Sequence, residues 1–470
     1  MIGVPTSVDI EPCFPQIGKT GFNPLQRLPP LSGNSSPKAS RPAKSSTMRP
    51  GHLVTIGGMW AAAGLAAPAP RSISGDSRQE PPWEEKLTLS VGPLAADIVG
   101  SDEKAIQAGV DAVTRHGGGT VRVLAGYYRL RNSVFLTSNV RLIGEGPRTV
   151  LIKEASVSSP LAEDSDWYDR EITLAHPEGF RLGDGICLRA ASARYAVKRT
   201  LIARAGARFK LDRPIRDNLW VADDAKATAT AATLFPIVSG ENIHDAVVEN
   251  LAFDGNRPAN DLLDGNYAGC VWLQDCERVT LRGLAAKNYH GDGLSWQVCH
   301  DILVENCESS GHSGLGLHPG SGSQRTTIRN CRLTGNDIGL FLCWGVRGAL
   351  VERNFIADNL TGISIGHRDT DNLIRDNDIA ANRSTGIFFR PDKPAVAGHR
   401  NVIENNRLTD NGAAGGAAID IVSAASDVIL RKNQIVETRA SPRPVALRLG
   451  AGVPRPREEG NEVRGFADEP

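Results

Sequence analysis

The sequence is short of aromatics, which make up 5% of its 470 residues, and it has no net charge, 53 Lys and Arg facing 53 Asp and Glu. Few aromatics beside 49 glycines argue against a helical bundle and suit many short strands joined by tight turns. Zero net charge removes any global pull toward nucleic acid or an anionic membrane surface, so a charge preference has to be local. The longest apolar run, Leu53 to Ala67, falls short of the ~20 residues that span a bilayer. No CxxC zinc pattern, GxxxxGK[ST] phosphate loop or GxGxxG dinucleotide fingerprint occurs, and calcium stays open because no acidic cluster is firm enough to claim it. Six of the eight cysteines, Cys270, Cys276, Cys299, Cys307, Cys331 and Cys343, stand at apolar positions of a repeat, which points to buried thiols rather than disulfides.

Residues 1–47 are rich in Pro, Ser and basic side chains without an apolar period, the composition of a disordered extension. Met48 to His52 is a basic start, followed by the apolar run and the small-residue exit Ala66-Ala67-Pro68-Ala69. Over 48–70 this is similar to a secretory signal peptide, implying a secreted or periplasmic protein; the other reading is an alanine-rich linker. A linker follows over 71–90. Ser101 is placed to cap a helix with Asp102 and Glu103 in its first turn, an apolar stripe of Ile106, Val110 and Val113, and Gly117 at its end.

Directly after it, Gly117-Gly118-Gly119-Thr120-Val121 and Ser138-Asn139-Val140-Arg141-Leu142-Ile143-Gly144-Glu145-Gly146 alternate as strands. A short helix, a GGGTV strand and an SNVxLxGEG segment resemble the opening of the pectate-lyase-like superfamily, which includes pectin lyases and polygalacturonases. The resemblance implies an all-β, single-stranded right-handed parallel β-helix whose first coil is covered by the helix. An uncovered coil would present unpaired backbone groups to other chains. On this reading 91–152 hold the cap and first coils, 153–238 an inserted small β subdomain, and 239–466 the main solenoid.

From Val247 onward one kind of segment recurs: VVENLAFDGN, ILVENCESSG, TTIRNCRLTGN, LVERNFIADN, LIRDNDIAAN, VIENNRLTDN and ILRKNQIVET. Alignment puts Leu251, Leu284, Cys307, Cys331, Asn354, Asn377, Asn406 and Asn433 in one column, at spacings of 33, 23, 24, 23, 23, 29 and 27. That period marks a solenoid whose coils bury their inner faces only on one another. Leucine-rich repeats share the period but need an LxxLxLxxN pattern that is absent. The four asparagines predict an interior ladder of amides bonded from coil to coil.

A second strand recurs after Gly293, Gly314, Gly339, Gly362 and Gly386. Residues one and three places on are bulky and apolar and point inward, which turns Ser295, Gln297, His318, Ser364 and Arg390 outward onto one face. Polar loops around His290, Asp292, Ser321, Trp344, His367, Arg368 and Asp369 join that side. Such a face suits an extended polysaccharide substrate. Elimination on a uronic acid needs a base, His318 or His290, and cations such as Arg368 and Arg390 to neutralise the carboxylate. Hydrolysis needs two carboxylates, Asp292 with Asp254 or Asp369. The candidate catalytic set is thus His290, Asp292, His318, His367, Arg368 and Arg390, with Asp254, Gln297, Ser321, Asp369 and Trp344 as substrate contacts. The stretches Gly291-Asp292-Gly293 and Gly362-Ile363-Ser364-Ile365-Gly366-His367 resemble polygalacturonase motifs, but that family's NTD triplet, its paired aspartates and its RIK triplet are not intact here. The reading therefore favours a lyase or an epimerase-like use of the same proton abstraction. A non-catalytic glycan-binding solenoid is the rival class.

Overall fold

The computed structural model describes residues 80–190, 196–221, 229–441 and 444–466. The expected extension 1–47, the signal-like segment 48–70 and residues 71–79 of the linker lie outside them, and the end of the expected linker is instead strand Leu87–Gly92, paired in parallel with Gly119–Val123. The described chain is a right-handed parallel β-helix. Each full coil contributes three short strands, as in Leu294–Gln297, Leu303–Glu305 and Glu308–Ser310, and each strand pairs in parallel with its counterpart one coil on. The register Val247, Thr280, Leu303, Thr327, Leu350, Leu373, Val402, Ile429 repeats the spacings read from the sequence column.

The helix α1 (Glu103–Arg115) covers the first coils with Ile106, Val110 and Val113, all fully buried. Its cap is one residue later than expected. Asp102, not Ser101, accepts the Ala105 amide at 3.0 Å, while the Ser101 carbonyl accepts the Arg129 amide. A carboxylate also suits the helix N-terminus electrostatically.

Inside the solenoid the asparagine column is a continuous hydrogen-bonded ladder. Asn354 Nδ2 donates to Asn377 Oδ1 at 2.9 Å, Asn377 to Asn406 at 2.9 Å, Asn406 to Asn433 at 3.1 Å and Asn433 to Asn461 at 3.0 Å. Each amide oxygen also accepts the preceding column member's backbone N–H. All six repeat cysteines are buried, Cys270, Cys276, Cys299, Cys307 and Cys331 as free thiols, and Cys331 hands over to the ladder by donating its N–H to Asn354. A second ladder, Asn336, Asn359, Asn382 and Asn411, runs along another corner. It was not anticipated, although the five-residue spacing of Asn354 and Asn359, Asn377 and Asn382, and Asn406 and Asn411 carries it.

The second ladder packs against Gly316, Gly339, Gly362 and Gly386, where an added Cβ would come within 2.4–2.9 Å of a neighbouring carbonyl or amide. Gly316 rather than Gly314 is therefore the repeat glycine of its coil: Leu294 pairs with Leu317, and Leu317 with Leu340. The shift is two residues, so the assigned faces are unchanged.

Outside, one column alternates in sign along the stack: Glu249, Arg282, Glu305, Arg329, Glu352, Arg375, Glu404, Arg431, Glu459. Contacts of 2.7–3.0 Å join Arg282 to Glu249 and Glu305, Arg329 to Glu305 and Arg375 to Glu352. Between the first coils and the main stack, strands from Ser158–Pro160 to Thr230–Ala232 form a six-stranded antiparallel sheet. Its own core includes Ile172, Phe180, Phe209 and Leu211.

The ladder makes a quantitative prediction. Asn377→Ala takes the acceptor from the buried Asn354 backbone N–H and the Asn377 donor from the Val351 carbonyl, while Asn354 Nδ2 keeps Ile328 O, and should cost about 2 kcal/mol, an unsatisfied group costing ~1–3 kcal/mol. Urea unfolding followed by circular dichroism measures it; a loss below ~1 kcal/mol would show that the amides carry little of the stack's stability.

Candidate functional site

Strand alternation builds the site. Leu317 lies in the core, so His318 turns outward, in register with Ser295, Trp272 and Ser239 on the preceding coils. Phe341, Ser364 and Phe388 continue the column. Asp292, in the turn that leads into Leu294–Gln297, sends Oδ2 to within 2.8 Å of His318 Nδ1, while Oδ1 accepts the Leu315 amide at 2.9 Å. Both residues are nearly wholly buried, at 3% and 1% exposed. Burial raises the Asp292 carboxyl, and the His318 hydrogen bond pulls back against it. The His318 ring meets the Phe341 ring edge-on at 5.4 Å.

Arg390 also packs on Phe341, its guanidinium carbon 4.1 Å from the ring centroid. Nη1 donates to Ser364 Oγ at 2.8 Å, and Nη2 to Leu342 O at 2.8 Å and Asp369 Oδ2 at 3.1 Å. His367 stacks on Trp344 at 4.2 Å and places Nδ1 3.1 Å from Asp392 Oδ1. His318 and Arg390 are thereby joined through Phe341, and His367, Trp344 and Asp392 form a second group of contacts.

Other candidates do different work. Asp369 is wholly buried: it accepts the Gly345 and Val346 amides through Oδ1 and the Gly366 amide through Oδ2. It ties turns together and orients Arg390, and it has no oxygen left for a substrate. Asp254 accepts the Asn256 amide within its own turn. Of the two hydrolytic pairings, that of Asp292 with Asp369 finds no carboxylate oxygen to spare. Gln297 is buried and relays Ser321 Oγ, at 2.9 Å, to Ser295 Oγ, at 3.1 Å. His290 Nδ1 meets a backbone carbonyl, Asn260 O, at 2.7 Å and not a carboxylate. Arg368 is exposed in a left-handed turn at φ 60°. Asp337 was not anticipated. It is half-buried, its carboxyl raised by burial and further by the Asp292 charge, with Arg383 opposing. Phe341 and Asp392 were also missed as site members; their places on the repeat strand and in the Arg390 loop were the available signals.

The segment 255–268 folds over this face. Ser295 Oγ donates to Gly265 O at 2.6 Å and Trp272 Nε1 to Asn266 O at 3.2 Å. The segment is held from behind by the inserted sheet, where Arg189 Nη2 donates to Leu262 O at 2.5 Å, and by buried Lys153, which bonds Asn260 Oδ1. Gly265 lies directly on Asp292: a Cβ there would sit 1.6 Å from Oδ2.

The family model for the right-handed β-helix region matches residues 269–435. The chain is a right-handed parallel β-helix. Among solved structures this β-helix is similar to the A-module of a mannuronan C-5 epimerase from Azotobacter vinelandii, with 15% identity over 80% of this chain and 96% of that one, TM-score 0.48. It is also similar to a Thermotoga maritima exopolygalacturonase, at 13% over 78% and 82%, TM-score 0.41. The tailspike gp61 of Pseudomonas phage phi297 matches at 12% over 76% and 72%, TM-score 0.38. A search of curated proteins finds no match. Among the described residues no helix is long and apolar enough to cross a membrane, and no three His, Cys, Asp or Glu side chains converge as a metal site.

Gly265→Ala tests the contact over the pair. The methyl must displace the Asp292 carboxylate, so the proton held between Asp292 and His318, visible as a downfield imidazole N–H resonance, should disappear while the circular dichroism spectrum is kept. A resonance unchanged in Gly265→Ala would show that the segment adapts without moving Asp292.

Proposed function

We infer that this β-helix acts on an acidic polysaccharide by β-elimination, with His318 as the base. The observation that carries the reading is the buried Asp292–His318 pair on the outer strand face. With Nδ1–H held by a carboxylate, the imidazole keeps its lone pair on Nε2, and Asp292 stabilises the cation that forms when a proton is taken up. The proton removed is the one on the carbon beside the uronic carboxylate. The electron pair left there forms the carbon–carbon double bond as the neighbouring glycosidic oxygen departs with the bonding pair and takes up a proton from solvent. Arg390, held by Ser364, Leu342 O and Asp369 beside Phe341, supplies fixed positive charge for the carboxylate as negative charge builds on it. His318 is 1% exposed, so substrate entry requires displacement of the groups above it. Secretion or a periplasmic location belongs to the same proposal.

A hydrolytic reading is favoured by one observation: Asp292 and Asp337 are both raised by burial, with the Asp292 charge adding to the rise at Asp337, and a raised carboxyl is the property of a general acid. The two are separated by incubating the protein with pectin, alginate, ulvan and neutral glycans while following ultraviolet absorbance and reducing ends. Elimination produces absorbance on an acidic polymer. His318→Gln should lower the rate by about 10²-fold or more, and Asp292→Asn should lower kcat with little change in KM. Reducing ends without absorbance would transfer the acid role to Asp337. Silence on every polymer would leave a binding solenoid.

A further inference from the structure

The strongest unassigned feature lies at the other end of the outer face, where the inserted sheet meets the first coils. A cavity of about 20 Å³, lined among others by Asn132, Lys198, Arg199, Arg213, Ser239 and Glu241, opens there. That volume admits one or two water-sized groups. Lys198 reaches in from the inserted strand Val197–Ala205 and lays Nζ 2.8 Å from the ring centroid of Trp272. Its side chain is 16% exposed, and among the described residues Nζ has no hydrogen-bond acceptor and the nearest carboxylate oxygen, on Glu241, is 3.9 Å away.

The local charges do not balance. Glu241 and Asp212 are each 3.5 Å from Arg213, and the Arg199 guanidinium is used by the carbonyls of Lys198, Pro214 and Ile215. Among the described residues three cations face two carboxylates, and the Lys198 ammonium keeps its donors. An ammonium held this way is costly unless an acceptor arrives. Trp272 and Ser239 belong to the outer column of Ser295 and His318, with Trp272 two coils from His318, about 10 Å along the stack.

We propose that this cavity is a subsite for the carboxylate of an acidic sugar, bound by Lys198, which fixes where along the outer face such a chain begins. The proposal rests on the polysaccharide reading for the kind of ligand, but its test does not depend on turnover. It also gives the inserted sheet a role: it walls one end of the face and brings in the cation that reads it. Burial, with the Arg213 and Arg199 charges, pushes the Lys198 amine down to about 7 against the pull of Glu241 and Cys187. Binding should therefore be strongest below pH 7 and fade as the amine loses its proton.

The test is calorimetric titration of the full chain at pH 6 with glucuronic acid, glucose and acetate. Glucuronic acid should bind, glucose should not, and acetate should bind at least tenfold more weakly. Lys198→Met, which keeps the packing on Trp272, should weaken glucuronic acid at least tenfold. Without any variant, the ¹⁵N resonance of the Lys198 ammonium should titrate at higher pH when the acid is present. The proposal fails if glucuronic acid does not bind, if Lys198→Met binds it equally well, if acetate matches it, or if the Lys198 resonance does not respond. Binding without turnover on any polymer would uphold the subsite and sink only the elimination chemistry.

Discussion

Everything in this molecule depends on one coil lying in register on the next. A single coil has an inner face of leucines, isoleucines, cysteines and asparagines that it cannot bury alone, and the only surfaces that cover it are the neighbouring coils. The asparagine ladders show how strict the fit is. Each amide serves two coils at once, accepting from the backbone and side chain before it and donating to the amide after it. A slip of one residue would turn these polar groups outward and the apolar set with them. The outer face inherits that precision, because His318, Phe341 and Ser364 each lie two residues after a glycine, Gly316, Gly339 or Gly362, that packs against the second ladder.

The placement of the pair follows from this. Asp292 belongs to one coil and His318 to the next, so their 2.8 Å contact is also an inter-coil bond, made on the outside where the ladders are made on the inside. Burying a carboxylate costs several kcal/mol unless it is hydrogen-bonded on both oxygens, and Asp292 meets that condition with Leu315 and His318. Asp369 meets it too, but with backbone amides and Arg390, which makes it an anchor rather than a participant.

The sequence carried the fold well because the fold is periodic. Spacing alone put Leu251 through Asn433 in one column, and apolar alternation put His318 and Arg390 outside and Leu317 and Ile387 inside. Two glycines two places apart, Gly314 and Gly316, hid the true repeat position, and the error was harmless because strands have a period of two. The aperiodic parts were not legible. Nothing in the residues 255–268 announces that they fold over Asp292, so its burial could not be read. An aspartate in a polar loop reads alike as a ligand contact or a turn anchor, and only the three amides around Asp369 decide between them. Lys198 stood in an insertion whose period is its own, and only the docked structure brings it to Trp272.

The alternating column from Glu249 to Glu459 has a consequence for how such a chain can grow or shrink. Loss or duplication of one coil would set two glutamates or two arginines face to face at the join, whereas loss or duplication of two would leave opposite charges meeting as before. Gain or loss of coils is thus favoured in pairs, and the natural building block of this part of the solenoid is a double turn carrying one charge of each sign.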